Sequence, residues 1–191
     1  MAKGIEVENK ARVDDLSAVE GRLPANARFL DHIDYADTYF TFREIEGYTY
    51  ERFRLREFSH RAIVTAKEDI ASVECATARE YEFEISDADA FLNFVRLFGF
   101  RELIRKRKQG KRFEVPSDLD GERAAIIELV NIEGLGDFVE IEVMVENEDR
   151  IERAESRVMA LLAELGILES ALEPRAYTLM LYKQNREQES G

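Results

Sequence analysis

Cysteine occurs once in this chain, at Cys75, so no disulfide can form within it, which fits a reducing cytoplasm. No neighbouring His or Asn pattern accompanies Cys75, and it reads as an inert thiol. Long apolar runs are also missing. No stretch approaches the length of a membrane span, and no signal peptide precedes Met1-Ala2-Lys3-Gly4, so a cytoplasmic protein without membrane contact is expected. Positive charge is scarce: 27 Lys and Arg against 40 Asp and Glu leave a net charge of −13, which argues against a broad nucleic-acid or anionic-membrane surface. An anionic ligand would need a local cluster of cations held against that general field. There is no G-x-x-x-x-G-K-[ST] loop, no G-x-G-x-x-G after a strand and no zinc-ligand spacing. The two histidines, His32 and His60, lie apart from any partner motif and read as surface or loop residues.

What is present is enough for one folded unit. The 191 residues, 45% hydrophobic and 35% charged, suit a single domain over 1–183 with its own core, followed by a polar tail over 184–191. The informative feature is a strand with charges on one face. In an extended chain, side chains two apart share a face, so Glu6, Glu8, Lys10 and Arg12 point one way while Ile5, Val7, Ala11 and Val13 lean the other. The pattern recurs as Arg52, Arg54 and Arg56, as Glu80, Glu82 and Glu84, and as Glu140 and Glu142. One E-x-E-x-K strand is ordinarily a solvated face of an antiparallel sheet. Joint occurrence is what carries weight: if these faces curl around one another, they enclose carboxylates and cations together.

Between these strands, Asp14–Glu20 reads as a short helix, with Gly21 and Pro24 near its end. Tyr35–Phe42, Tyr48–Glu57, Ala62–Lys67 and Arg79–Ile85 read as strands. Ser86 reads as the cap of a helix whose apolar stripe is Phe91, Phe94, Val95 and Phe98. The basic run Arg101–Arg112 is either two short strands or one bent one, and its parity stays open. Pro116–Gly121 is a loop. Arg123–Ile132 and Phe138–Val145 are strands, joined by a turn at Gly134 and Gly136. Glu148–Leu165 is a long helix with Ile151, Ala154, Val158, Leu161, Leu162 and Leu165 inward. Ala176–Tyr182 is expected as a last strand. About eight strands without regular strand–helix alternation give an α+β protein on an antiparallel sheet, with helices on its apolar face. The charged face is then either open to water or enclosed by closure into a barrel.

Hard divalent cations take oxygen ligands and keep several waters, so Glu6 with Glu8 and Glu140 with Glu142, each pair about 7 Å apart at the strand period, can bracket one or two ions. Arg supplies bidentate forks and Lys a point charge to polyphosphate oxygens; Lys10, Arg54, Arg56, Lys67 and part of the Lys106–Arg112 run would serve. Such a site transfers phosphoryl or nucleotidyl groups mainly by positioning and charge neutralisation.

These residues carry a resemblance. Glu6-x-Glu8-x-Lys10 resembles the signature of the CYTH superfamily, the triphosphate tunnel metalloenzymes. Asp37-Thr38-Tyr39-Phe40 is similar to that family's D-x-Y-F strand, Arg54-Leu55-Arg56 to its R-x-R strand and Thr65-Ala66-Lys67 to its T-x-K strand. Glu133 to Glu142 is similar to its V-E-G-L-G-x-F-x-E-I-E block, closest to the class IV adenylyl cyclase branch. The resemblance implies an eight-stranded antiparallel closed β-barrel, a tunnel, with amphipathic helices packed outside. It implies Mg²⁺ or Mn²⁺ on Glu6, Glu8, Glu140 and Glu142, and ATP or another triphosphate on Lys10, Arg54, Arg56, Lys67, Lys108 and Arg112. Lys10 and Lys67 are the candidate catalytic residues, and a monomer or homodimer is expected. Two positions depart from the pattern: Val130 stands where the family has a metal-binding Asp, with Glu128 on the same strand face, and Gly110 stands where the second member of a K-x-R pair would be, with Lys111 or Arg112 as replacements. The expected activity is conversion of ATP to cyclic AMP and pyrophosphate. Hydrolysis of tripolyphosphate or thiamine triphosphate, and non-catalytic binding of a polyphosphate or nucleotide, are the alternatives.

Overall fold

The computed structural model describes residues 2–44, 46–48, 51–58, 61–117 and 123–189. Tyr50, His60 and much of the Pro116–Gly121 loop lie outside these. Among the described residues eight strands form: β1 (Ala2–Arg12), β2 (Arg28–Phe42), β3 (Phe53–Glu57), β4 (Ala62–Asp69), β5 (Ala76–Ile85), β6 (Phe100–Val115), β7 (Ala125–Ile132) and β8 (Gly136–Val145). Every pairing is antiparallel, and the order β1-β5-β4-β3-β2-β6-β7-β8 closes on itself because β1 pairs with both β5 and β8. Closure removes the exposed edges that an open sheet of this width would present. It also selects the enclosed alternative for the charged faces.

Side-chain alternation sorts the wall into two surfaces. Val7 on β1 and Val139, Ile141 and Val143 on β8 face outward and are buried under helix α3 (Ile151–Glu164), whose Ala154, Val158, Leu161 and Leu162 recur at helical spacing. Burying a side chain such as Leu162 contributes about 1.5–3 kcal/mol. Helix α2 (Ala88–Leu97), capped by Asp87 rather than Ser86, covers a second outer patch of Phe40, Leu55 and Val64 with its Val95. Helix α1 (Leu16–Glu20) follows β1. The basic run is one continuous strand of 16 residues, so Lys106, Lys108 and Arg112 share its inner face with Gly110. Lys111 faces out, where its ammonium meets both Glu20 carboxylate oxygens at 2.8 Å.

One segment is not what its sequence suggests. Ala176–Tyr182 is not a strand: α4 runs from Tyr177 to Glu189, through the first residues of the expected tail. Its Tyr177, Met180 and Leu181 fall at i, i+3 and i+4 and touch side chains that face into the barrel, namely Ile33, Val130, Ile132 and Phe138 and, through Leu181, Tyr39 and Ile104. The helix therefore stands across one end of the barrel. It is fastened there by the Gln184 amide, which donates to the Gly134 carbonyl at 2.8 Å, and by Thr178, which donates to Glu51 at 3.2 Å. No helix among the described residues is long and apolar enough to cross a membrane.

Candidate active site

Antiparallel register puts Glu8 of β1 opposite Glu142 of β8, with Glu6 two residues along the same inner face. Carboxylate oxygens of Glu6, Glu8 and Glu142 lie within 4.8 Å of one another. Burial, then the negative charge of Glu6 and a hydrogen bond with it, hold the Glu142 carboxyl well above the usual carboxylate range. Such crowding is relieved by a cation. The Lys67 ammonium, inward from β4, contacts Glu6 and lies 3.3 Å from Glu80. Burial favours its neutral form, but Glu6, Glu8 and Glu80 outweigh this and keep it charged. An all-oxygen, all-carboxylate donor set fits a hard divalent cation that keeps its waters and takes phosphate oxygens.

Beside this group, Asp37 of β2 organises the cations. Arg56 donates Nε and an Nη to its two oxygens at 2.7 and 2.9 Å, the Lys106 ammonium lies at 3.3 Å and an Arg54 Nη at 3.7 Å. Burial pushes the Asp37 carboxyl up, but Lys106, Arg56 and Arg54 together hold it below the usual carboxylate range. The Arg54 Nε–H is buried and has no hydrogen-bond acceptor among the described residues. A buried donor left unpaired costs about 1–3 kcal/mol, so this N–H is suited to an acceptor brought in by a ligand. Lys10 makes no ion pair among the described residues; its ammonium lies 5.2 Å from the centre of the Tyr177 ring.

A second carboxylate pair is already neutralised. The Lys108 ammonium sits between Glu128 at 2.5 Å and Glu140 at 2.7 Å, and Arg112 donates to the other Glu128 oxygen at 2.8–2.9 Å. The Tyr177 hydroxyl donates to the other Glu140 oxygen at 2.8 Å. Against burial, which pushes it up, Lys108 and Arg112 bring the Glu128 carboxyl down to about 2.

The two departures from the expected pattern turn out to be one packing arrangement. Gly110 and Val130 are paired across β6 and β7. A Cβ at Gly110 would stand 2.8 Å from the Val130 Cα and 2.9 Å from its Cγ1, and nearer still to the Leu129 carbonyl oxygen. No arginine can occupy this position against this wall. Val130 is fully buried with Ile33, Ile132 and Phe138, forming an apolar segment of the lining under α4.

Of the residues expected at the site, Glu6, Glu8, Lys10, Arg54, Arg56, Lys67, Lys108, Arg112, Glu140 and Glu142 all face the barrel interior. They fall into distinct groups: Glu6, Glu8 and Glu142 with Lys67; Arg54 and Arg56 on Asp37; Lys108 and Arg112 with Glu128 and Glu140. Sequence reasoning gives no role to Tyr177, quotes Asp37 only as part of a motif, and includes Lys106 only as one end of the basic run Lys106–Arg112. Lys106 carries a readable signal, lying two residues before Lys108 on the same face; Tyr177 carries none in a segment whose composition favours a strand. His32 is exposed on β2. Burial, helped by Glu155 and Glu74, pushes the Cys75 thiol up to about 12, away from any reactive range. A cavity of about 280 Å³ reaches Glu8 and Lys10 where the β1–β5 pairing ends, between residues 73–76 and Glu173. Another, of about 240 Å³, lies outside the wall between α2 and β6 and touches none of the expected site residues.

Comparison with known proteins accords with this geometry. The CYTH domain family model matches residues 4–177. A protein of Methanocaldococcus jannaschii named as a candidate adenylate cyclase is 27% identical over 182 residues, covering 91% of this chain and 96% of that protein. A solved structure from Pyrococcus horikoshii superposes with a TM-score of 0.74 at 25% identity, covering 93% of this chain and 99% of its own. A candidate adenylyl cyclase from Hippeastrum, described as having a dominant triphosphatase activity, shares the fold with a TM-score of 0.59 at 16% identity, covering 97% and 96% of the two chains. The family match spans almost the whole barrel and every strand that carries an inward charge, and on that basis this chain belongs to the CYTH domain family, whose members generally act on triphosphates with divalent metal ions.

Proposed function

We propose that this chain is a divalent-metal-dependent enzyme that holds a triphosphate inside its barrel, and that its reaction is the conversion of ATP to cyclic AMP and pyrophosphate. The observation that carries the proposal is the gathering of Glu6, Glu8 and Glu142 within 4.8 Å beside inward cations. Mg²⁺ or Mn²⁺ on these carboxylates would supply charge neutralisation and polarisation at the phosphate oxygens. The protein's own residues do the rest. Arg54 offers its unpaired Nε–H, and Arg56 and Lys106 stand beside it, pre-oriented by Asp37 so that little reorganisation accompanies binding. Lys67, in contact with Glu6, and Lys10, two residues from Glu8 on the same face of β1 and beside Tyr177, would contact phosphate oxygens and stabilise charge developing on the leaving group. The apolar segment under α4 excludes water from one end, which leaves the organic group of the substrate to lie towards the other.

The cyclase reading is supported by the M. jannaschii relative. A hydrolytic reading, with water attacking the terminal phosphorus, is supported by the Hippeastrum protein's stated activity on the same fold. Incubation with ATP and with tripolyphosphate in Mg²⁺ or Mn²⁺ separates them. Cyclic AMP with one pyrophosphate per turnover is the expected result; orthophosphate alone would replace the cyclase by a triphosphatase, and binding without any product would leave only a binding module.

A further inference from the structure

Among the described residues the charged lining gathers Glu6, Glu8 and Glu142 at one place and Glu128 and Glu140 at another, enough oxygens for two cations, yet the two groups are in different electrostatic states. Among the described residues Glu6, Glu8 and Glu142 share only Lys67, which reaches Glu6 and also Glu80. Glu128 and Glu140 are matched charge for charge by Lys108 and Arg112, and the remaining Glu140 oxygen accepts from Tyr177. We infer that the tunnel takes a single divalent cation, at Glu6, Glu8 and Glu142, because the Lys108 ammonium occupies the place between Glu128 and Glu140 that a second cation would need. This rests on the proposed metal-dependent function.

Three observations argue that Lys108 is a fixture. It is 4% exposed, with both carboxylates within 2.7 Å, so leaving them would take from the half-buried Glu140 its ammonium partner and leave the buried Glu128 with Arg112 alone. Its other neighbours, Tyr35 across the β2–β6 pair and Tyr177 from α4, offer no competing anion. Val130, two residues beyond Glu128 on the same face, supplies no carboxylate that could draw a cation into the pair. A buried ammonium hydrogen-bonded to two carboxylates fills the coordination space of a small hard cation without the geometric demand that Mg²⁺ makes.

The test is the number of Mn²⁺ ions bound per full-length chain without nucleotide, measured by calorimetry and by the spin resonance signal of free Mn²⁺. Wild type is expected to bind one and Lys108→Met two. Two ions in wild type, or one in a folded Lys108→Met, would overturn the inference and leave the metal-dependent reading standing; no ion in wild type would overturn both. If Lys108→Met does not fold, Glu140→Gln and Glu142→Gln decide. Glu142→Gln should weaken Mn²⁺ binding by at least about tenfold while Glu140→Gln changes it only slightly, and the reverse ranking would overturn the inference.

Discussion

Two stretches of one lining, which meet on β8 where Phe138 and Glu142 share the inner face, differ in what they lack. At Glu6, Glu8 and Glu142 the wall carries charge that its own residues do not balance; at Gly110, Val130 and Phe138 it is apolar, tightly packed and covered by α4. The first stretch is unfavourable by itself and becomes favourable with a cation and an anion bound. The second is stable alone and gives the barrel its rigidity. Preorganisation at a binding site is set against stability in this way when rigid neighbours hold the costly groups in place.

The largest effect should come from the charged stretch. Glu142→Gln is expected to lower metal-dependent turnover by about a hundredfold or more, while raising the midpoint of thermal unfolding without metal because a carboxyl that burial and Glu6 disfavour in its charged form is gone. Turnover near wild type would break the comparison. In the apolar stretch the effect should fall on stability. Gly110→Ala drives a methyl group against backbone and should cost about 2–4 kcal/mol. Val130→Asp buries an unpaired carboxylate and should cost a similar amount, without gain of activity. Urea denaturation measures both.

Between the two stretches lies Glu128. Its carboxyl is brought down to about 2 from an ordinary 4.5, so its contribution is present above about pH 4.5 and disappears as pH falls towards 2. Wild type should therefore lose stability on the acid limb more steeply than Glu128→Gln, which chemical unfolding at stepped pH would show. The smallest change is expected for Tyr177→Phe, which removes one hydrogen bond to Glu140 at a cost of about 1 kcal/mol.

Much of this was readable before any coordinates. A strand period of two assigns Glu6, Glu8 and Lys10 to one face and Val139, Ile141 and Val143 to the other whatever the fold, and the helical stripe of α3 announces what covers the apolar side. Closure was not readable from alternation alone, because an open sheet and a barrel have the same pattern. Nor was the grouping of charges: that Glu140 meets Lys108 while its neighbour Glu142 meets Glu6 and Glu8 depends on strand stagger. The segment from Tyr177 misled because its aromatic and β-branched residues favour strands, whereas Tyr177, Met180 and Leu181 follow the helical period and find their cover in the end of the barrel. Gly110 could be seen as a departure, but only its contact with Val130 explains both residues at once.

The most direct test is diffraction at the manganese absorption edge from crystals holding Mn²⁺ and a non-hydrolysable triphosphate. The account predicts an anomalous peak coordinated by Glu6, Glu8 and Glu142, with phosphate oxygens on the Arg54 Nε and the Lys67 ammonium. A peak outside the barrel, or phosphates bound to its outer wall, would contradict it.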